Sequence, residues 1–149
     1  MIALRTAVAA DVPAILAMMA DFNRGEGIAW EPARGEAPLR RLLGDPALGT
    51  VGLAESAGAP VGYFVVTWGY DLEWDGRDAF LTEIYLVPEA RRRGAGRALL
   101  LGVERAARDA GARALHLMVR HENAPAIALY EGAGYTTPAR RFMTKVLRS

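Results

Sequence analysis

One run in the second half of this chain limits its fold more than any other feature. "AFLTEIYLV", residues 79–87, is a strongly apolar strand that Pro88 stops, and "PEARRRGAG" follows as a turn. Ala95, Ala98, Leu99, Gly102, Val103, Ala106 and Ala110 then keep one helical face apolar, with Arg97, Glu104, Arg105 and Arg108 off it. Gly111 suits the residue just past a helix end, and "ALHLMV", residues 114–119, reads as another buried strand. Two strands joined through a helix lie parallel in one sheet, which then needs cover on its faces.

Upstream, "TVGLAES", the turn "AGAP" and "VGYFVVTWGY" read as an antiparallel hairpin, and "DLEWDGRD" as a turn-rich break. "IALRTA" reads as a first strand. "ADVPAILAMMADFNR" is an amphipathic helix with Asp11 as N-cap and Pro13 in its first turn. "GEGIAWEPARGEA" reads as a loop, "PLRRLLGD" as a short second helix, and "RFMTKVL" as a closing strand. Asn123 caps "APAIALYEGAG", which Gly132 and Gly134 terminate. The expectation is a single α/β domain over residues 1–149: a mixed, mostly antiparallel central sheet of six to seven strands with helices on both faces.

Composition narrows the function classes. With 149 residues and a formal charge of +1, the chain has length for one core and no global field toward DNA or acidic membranes. Lys145 is the only lysine beside many arginines, so the "RRR" of the turn reflects a chain-wide preference. No aromatic residues interleave those arginines, which argues against nucleic acid. There is no cysteine, hence no disulfide, thiolate metal site or cysteine nucleophile. No apolar run reaches about 18 residues and nothing resembles a signal peptide, so the expected location is cytoplasmic, away from the membrane.

The turn itself has the logic of a phosphate site. A helix start carries N–H groups without intrahelical partners and about half a positive charge. Gly94 and Gly96 leave room for an anion, and arginines can pair with its outer oxygens. There is no G-K-[ST], and Leu99 stands where a dinucleotide fingerprint needs its third glycine. A solvated turn without a ligand would fit G-x-G alone.

Two motifs occur together, however. R-x-x-G-x-G (Arg91, Gly94, Gly96) follows a strand and "PE". N-x-x-A-x-x-L-Y-x-x-x-G-Y (Asn123, Ala126, Leu129, Tyr130, Gly134, Tyr135) comes about thirty residues later. In this order and spacing the chain resembles the GCN5-related N-acetyltransferase family over nearly its whole length. The resemblance implies that family's fold, acetyl-CoA as co-substrate and no metal. It assigns the pantetheine arm to the backbone of Ile84, Tyr85 and Leu86, and the diphosphate to Arg92, Arg93, Gly94, Ala95, Gly96 and Arg97. Arg91 stands where the family carries Arg or Gln. Asn123 would touch the cofactor arm, and Tyr130, seven residues or about 10 Å further along the helix, would protonate the departing thiolate. A core tyrosine is the plainer reading of Tyr130.

An attacking amine must lose a proton, and Glu83, on the strand beside the cofactor, is the expected base; its alternative is a carboxylate that only orients substrate or pairs with arginine. His116 reads as structural, and His121 lies in the loop before Asn123. For the acceptor, Trp68, Tyr70, Asp71, Glu73 and Trp74, with Asp75 and Asp78, suit an ammonium group; Asp21, Glu26 and Trp30 would form an opposite wall. A solvated hairpin is the alternative there. Family members that acetylate protein N-termini commonly carry Glu where this chain has Met118 in "LMVR", so a small-molecule amine is the expected acceptor. A non-catalytic CoA-binding sensor and a protein or peptide acetyltransferase are the competing readings, and a homodimer is compatible with the sequence.

Overall fold

A computed structural model of the protein describes residues 1–148. Two compact units make up the chain, Met1–Met118 and a second from Val119 onward. In the first, β1 (Ala3–Thr6), β2 (Gly49–Ser56), β3 (Ala59–Asp71) and β4 (Gly76–Leu86) form an antiparallel meander, and β5 (Leu115–Leu117) joins β4 in parallel. The β2–β3 connection is a two-residue turn in which Ala57 and Gly58 both have positive φ, 50° and 77°. That hand matches the twist of the flanking strands.

Alternation along the strands sorts side chains onto two faces. Val51, Leu53, Tyr63, Val65 and Tyr85 face α1 (Val12–Gly25) and α2 (Pro32–Gly44), joining Ile15, Met18, Met19 and Leu39 in one core. Each fully buried aliphatic side chain there contributes about 1.5–3 kcal/mol. The opposite face takes α3 (Ala95–Asp109), whose Leu99, Leu100 and Val103 are fully buried. Close approach needs small residues here: a Cβ on Gly52 would sit 2.2 Å from the Phe64 ring, and one on Gly102 would sit 2.4 Å from Leu4. Helices thus cover both faces of a mixed, mostly antiparallel sheet, as expected.

Several boundaries differ from the sequence reading. The sheet has five strands among the described residues, not six to seven. "RFMTKVL" forms no strand. Its apolar residues fall in adjacent pairs, Phe142–Met143 and Val146–Leu147, and all four are exposed; in a strand they would divide between both faces, and no single apolar side emerges. The second helix begins at Pro32, inside the stretch read as a loop. Proline is well placed in a first turn, where its missing N–H costs nothing, and Pro38 is carried inside the helix. Asp11 does precede α1 but makes no side-chain cap. Its carboxylate instead accepts the Val8 N–H at 2.8 Å and pairs with both terminal nitrogens of Arg5 at 2.8 and 2.9 Å. Arg5 also reaches Glu55 at 2.9 Å, tying β1, β2 and the helix start together. No described helix is long and apolar enough to cross a membrane.

In the second unit, α4 (Ala124–Gly132) starts at Asn123, whose side-chain oxygen accepts the Ala126 N–H at 3.3 Å. Gly134 has φ +97°, beyond the helix end. Tyr130 is buried, and its ring meets that of Tyr135 edge-on at 5.8 Å.

Candidate active site

The link between β4 and α3 has an unusual backbone. A 3-10 turn, Pro88–Ala90, is followed by extended Arg91, and then Arg92, Arg93 and Gly94 are all left-handed, with φ of 72°, 59° and 75°. The left-handed region costs a non-glycine residue about 1–2 kcal/mol. Two adjacent arginines carry that strain, of the kind concentrated at binding sites. Turns of this sort can direct backbone N–H groups into one concavity, which favours an anion. The helix that follows has Gly94 as its N-cap, no side-chain cap and no acidic residue in its first turn. Only a long 3.4 Å contact ties the Ala95 N–H back, to the Arg92 carbonyl. The positive end of a fifteen-residue helix is therefore not neutralised by its own sequence.

Arg92, Arg93 and Arg97 are exposed around this turn, whereas Arg91 bends back. Its Nε donates to the Leu86 carbonyl at 2.9 Å, and its guanidinium lies 5.5 Å from the centre of the Tyr85 ring. Of the four arginines, Arg91 thus braces the turn against β4, while the other three face outward.

The strand leading into the turn is open along one edge. Parallel pairing with β5 ends at Leu81–Leu117, so among the described residues β4 is paired on the β3 side only from Thr82 onward. The Val87 N–H donates to Val61 across that paired side at 2.8 Å. Alternation then turns the N–H and C=O of Leu86 to the open edge, where the carbonyl is the one that Arg91 holds. Ile84 has the same parity. An extended amide-bearing ligand could add there as a further strand.

Glu83 lies three residues before Leu86, about 10 Å along the strand, and shares a face with Val65 and Tyr85. A bulge marks this place: Val65 pairs with Glu83 but Val66 with Leu81, which leaves Thr82 extra. Tyr63, fully buried, donates its hydroxyl to Glu83 Oε1 at 2.6 Å. Burial raises the Glu83 carboxyl above its ordinary value, and the Tyr63 hydrogen bond opposes part of that rise. Burial also lifts the Tyr63 phenol, with the Glu83 charge adding to it, so Tyr63 remains a donor. The Tyr85 hydroxyl contacts Asp21 Oδ2 at 3.4 Å, and its phenol too is raised, by burial first and then by the Asp21 charge.

Glu83 opens into a cavity of about 320 Å³ between the sheet and α1–α2, walled by Met19, Ile28, Trp30, Leu39 and Val65, with Arg34 as its other charged group. Gly35 makes room for Trp30: a Cβ there would meet the indole at 2.2 Å. The hairpin residues lie elsewhere. Trp68, Tyr70, Asp71, Glu73 and Trp74 do not line this cavity. Trp68 lies on the α3 face, donates to the Pro46 carbonyl at 3.0 Å and has Arg77 over its ring at 5.7 Å. There it borders a groove of about 610 Å³ with Phe64, Gly102 and Arg105. Asp71 accepts the Glu73 N–H at 2.9 Å within its own turn, and Tyr70 is 78% exposed. Asp75 is left-handed at φ 59°. Trp74 packs on His116 at 5.9 Å, and Asp78 pairs with that histidine at 3.1 Å. Glu26 lies just past α1, outside the cavity lining, and His121 is in an exposed turn. Tyr63 and Arg34 escaped the sequence reading. Tyr63 is a diagonal neighbour of Glu83 across the β3–β4 ladder, visible only once the register is known.

The family model described as the acetyltransferase (GNAT) family matches residues 15–135. A thialysine N-epsilon-acetyltransferase of Bos taurus is 33% identical over 100 residues, which is 67% of this chain and 58% of that protein. A mycothiol acetyltransferase of Geodermatophilus obscurus is 38% identical over 101 residues, 67% of this chain but 30% of its own length. The chain therefore matches less than two thirds of either relative. Among solved structures, an integron cassette protein from the mobile metagenome of Cole Harbour Salt Marsh superposes with a TM-score of 0.86 at 30% identity, covering 98% of this chain and 91% of that one. With residues 15–135, most of its length, matched by that family's model, the chain belongs to the GNAT family of acetyltransferases.

Proposed function

We propose that this protein transfers an acetyl group from acetyl-CoA to a primary amine of a small molecule, by direct attack within a ternary complex. The observation that carries the reading is the uncapped start of α3 behind three left-handed residues, adjoining the open edge of β4. This chain's groups fit the donor: N–H groups of Gly96 and Arg97 with the side chains of Arg92 and Arg93 for the diphosphate, and the β4 edge at Ile84–Leu86 for the pantetheine amides. Asn123 is assigned to the same arm from the motif it belongs to. Bound acetyl-CoA supplies a thioester carbonyl as electrophile.

The amine needs a base. With a reference value near 10.4, holding an alkylamine neutral at pH 7 costs about 4–5 kcal/mol. Glu83, pushed upward by burial, is better matched to that proton than an exposed carboxylate would be. It accepts the proton directly or through a water as the amine nitrogen bonds to the carbonyl carbon. The Leu86 N–H donates to the carbonyl oxygen as negative charge gathers on it. As the carbon–sulfur bond breaks, Tyr130 gives its phenolic proton to the sulfur, and the second proton of the acylated nitrogen restores the phenol through solvent. The products are the N-acetylated amine and CoA thiol, and Glu83 releases the first proton to solvent.

The two relatives above are named for thialysine and mycothiol, small molecules rather than proteins, which supports the small-molecule reading. The test is release of CoA thiol across amino acids, polyamines, aminoglycosides and peptides. Tyr130→Phe is expected to slow turnover at least tenfold while acetyl-CoA still binds. Tight acetyl-CoA binding with no turnover on any amine would favour a CoA-binding sensor; turnover confined to peptides would favour a protein acetyltransferase.

A further inference from the structure

We infer that the amine acceptor carries an anionic group, a carboxylate in the first instance, at the far end of an apolar spacer, and that Arg34 receives it. This rests on the proposed amine acetylation at Glu83. The cavity of about 320 Å³ has two charged side chains in its wall, Glu83 on the sheet and Arg34 on α2, and the rest of its lining is apolar or glycine. That is a small-ligand volume with few polar fixing points. Met19, Ile28, Trp30 and Leu39 offer surface to a hydrocarbon stretch and no hydrogen bond to a hydroxyl-rich one.

Arg34 has capacity to spare. Among the described residues its guanidinium makes one hydrogen bond, to the Ala29 carbonyl at 3.3 Å, and it enters no ion pair. A guanidinium has five N–H donors in a fork that matches a carboxylate, so most of that fork is available. Its position is also one that helix stability does not favour: it stands in the first turn of α2, where the dipole opposes a cation. An arginine there, bordering an apolar cavity whose other charge is a carboxylate, is explained by an anion that comes and goes. The same cation disfavours acceptors with a second ammonium group at that end, such as diamines and polycationic aminoglycosides.

The experiment compares ω-aminoalkanoates of three to six carbons with their terminal amides and with matched diamines, as acceptors at saturating acetyl-CoA. The expected result is a kcat/KM at least tenfold higher for the carboxylate than for its amide at the best length, with the diamine poorest. In Arg34→Gln that ratio collapses toward one, mainly through a higher KM for the carboxylate, and Arg34→Lys retains an intermediate ratio. Equal kcat/KM for carboxylate and amide in the wild type, or equal losses on both in Arg34→Gln, would overturn the inference. Calorimetric titration of the best aminoalkanoate into the full chain with CoA present separates the two levels. Binding that Arg34→Gln weakens at least tenfold, with no turnover of any amine, sustains the anion site and refutes the acetylation. Absence of such binding refutes the anion site even if neutral amines turn over. Circular dichroism of Arg34→Gln, an exposed position, is expected to match the wild type.

Discussion

Tyr63→Phe isolates one hydrogen bond on the base. The wild-type hydroxyl donates to Glu83 Oε1 at 2.6 Å from a fully buried ring, and phenylalanine keeps the ring while removing only the oxygen. A hydrogen bond to a charged group is worth about 1.5–3 kcal/mol. Because the bond favours the carboxylate form, its loss raises the Glu83 value further. Burial has already raised that value. The acid limb of kcat/KM, which reports the free enzyme's groups, moves to higher pH, and activity at the alkaline end keeps most of its height. The assay is CoA thiol release with one acceptor between pH 5 and 9, where the acceptor's own ionisation is common to both proteins. An acid limb that stays in place or moves to lower pH would refute Glu83 as the base.

Gly94→Ala places a side chain at φ +75° in open space, so its cost is backbone strain alone, about 1 kcal/mol. For a chain of this size that lowers the thermal midpoint by about 2–4 °C, and acetyl-CoA affinity is expected to fall at least fivefold in calorimetry. Glu83→Gln removes activity yet stabilises the fold: the carboxyl's folded value lies above its unfolded one near 4.3, so its contribution to stability declines as pH rises through that interval. The gain in thermal midpoint is accordingly larger at pH 8 than at pH 4, and an equal gain at both would contradict the reasoning. Asp11 behaves oppositely. Hydrogen bonds from Arg5 hold it down to about 2, so the stability it provides is present above its unfolded value near 3.9 and disappears as pH falls through 2. Urea midpoints of Asp11→Asn between pH 5 and 2 should lose that slope.

The parts of this fold legible in sequence are those written in periodicity and punctuation. The β2–β3 hairpin is announced by Ala57–Gly58 between alternating runs, and α3 by its apolar stripe between Gly94 and Gly111. The start of α2 was hidden because "EPARGEAP" has the composition of a loop. What fixes it as helix is tertiary: Trp30 settles over Gly35 and Leu39 enters the core. "RFMTKVL" has a strand's apolar content without its alternation, and it forms no strand. At the candidate site, the left-handed turn before α3 is legible because Gly94, at φ 75°, marks it. The acceptor side depends on which face each strand residue takes. Trp68 stands three residues from Val65, an odd interval that puts it on the opposite face, while the Thr82 bulge in β4 shifts the partners of its neighbours. Neither follows from residue types alone.

The central claim is that the backbone at the start of α3 and the outer edge of β4 receive acetyl-CoA. Titrating acetyl-CoA into the ¹⁵N-labelled protein while following backbone amide resonances tests this most directly. Saturable shifts, largest at Gly94, Gly96, Arg97 and Leu86, are predicted; saturable binding that leaves those four amides in place, or no binding at millimolar ligand, would contradict the account.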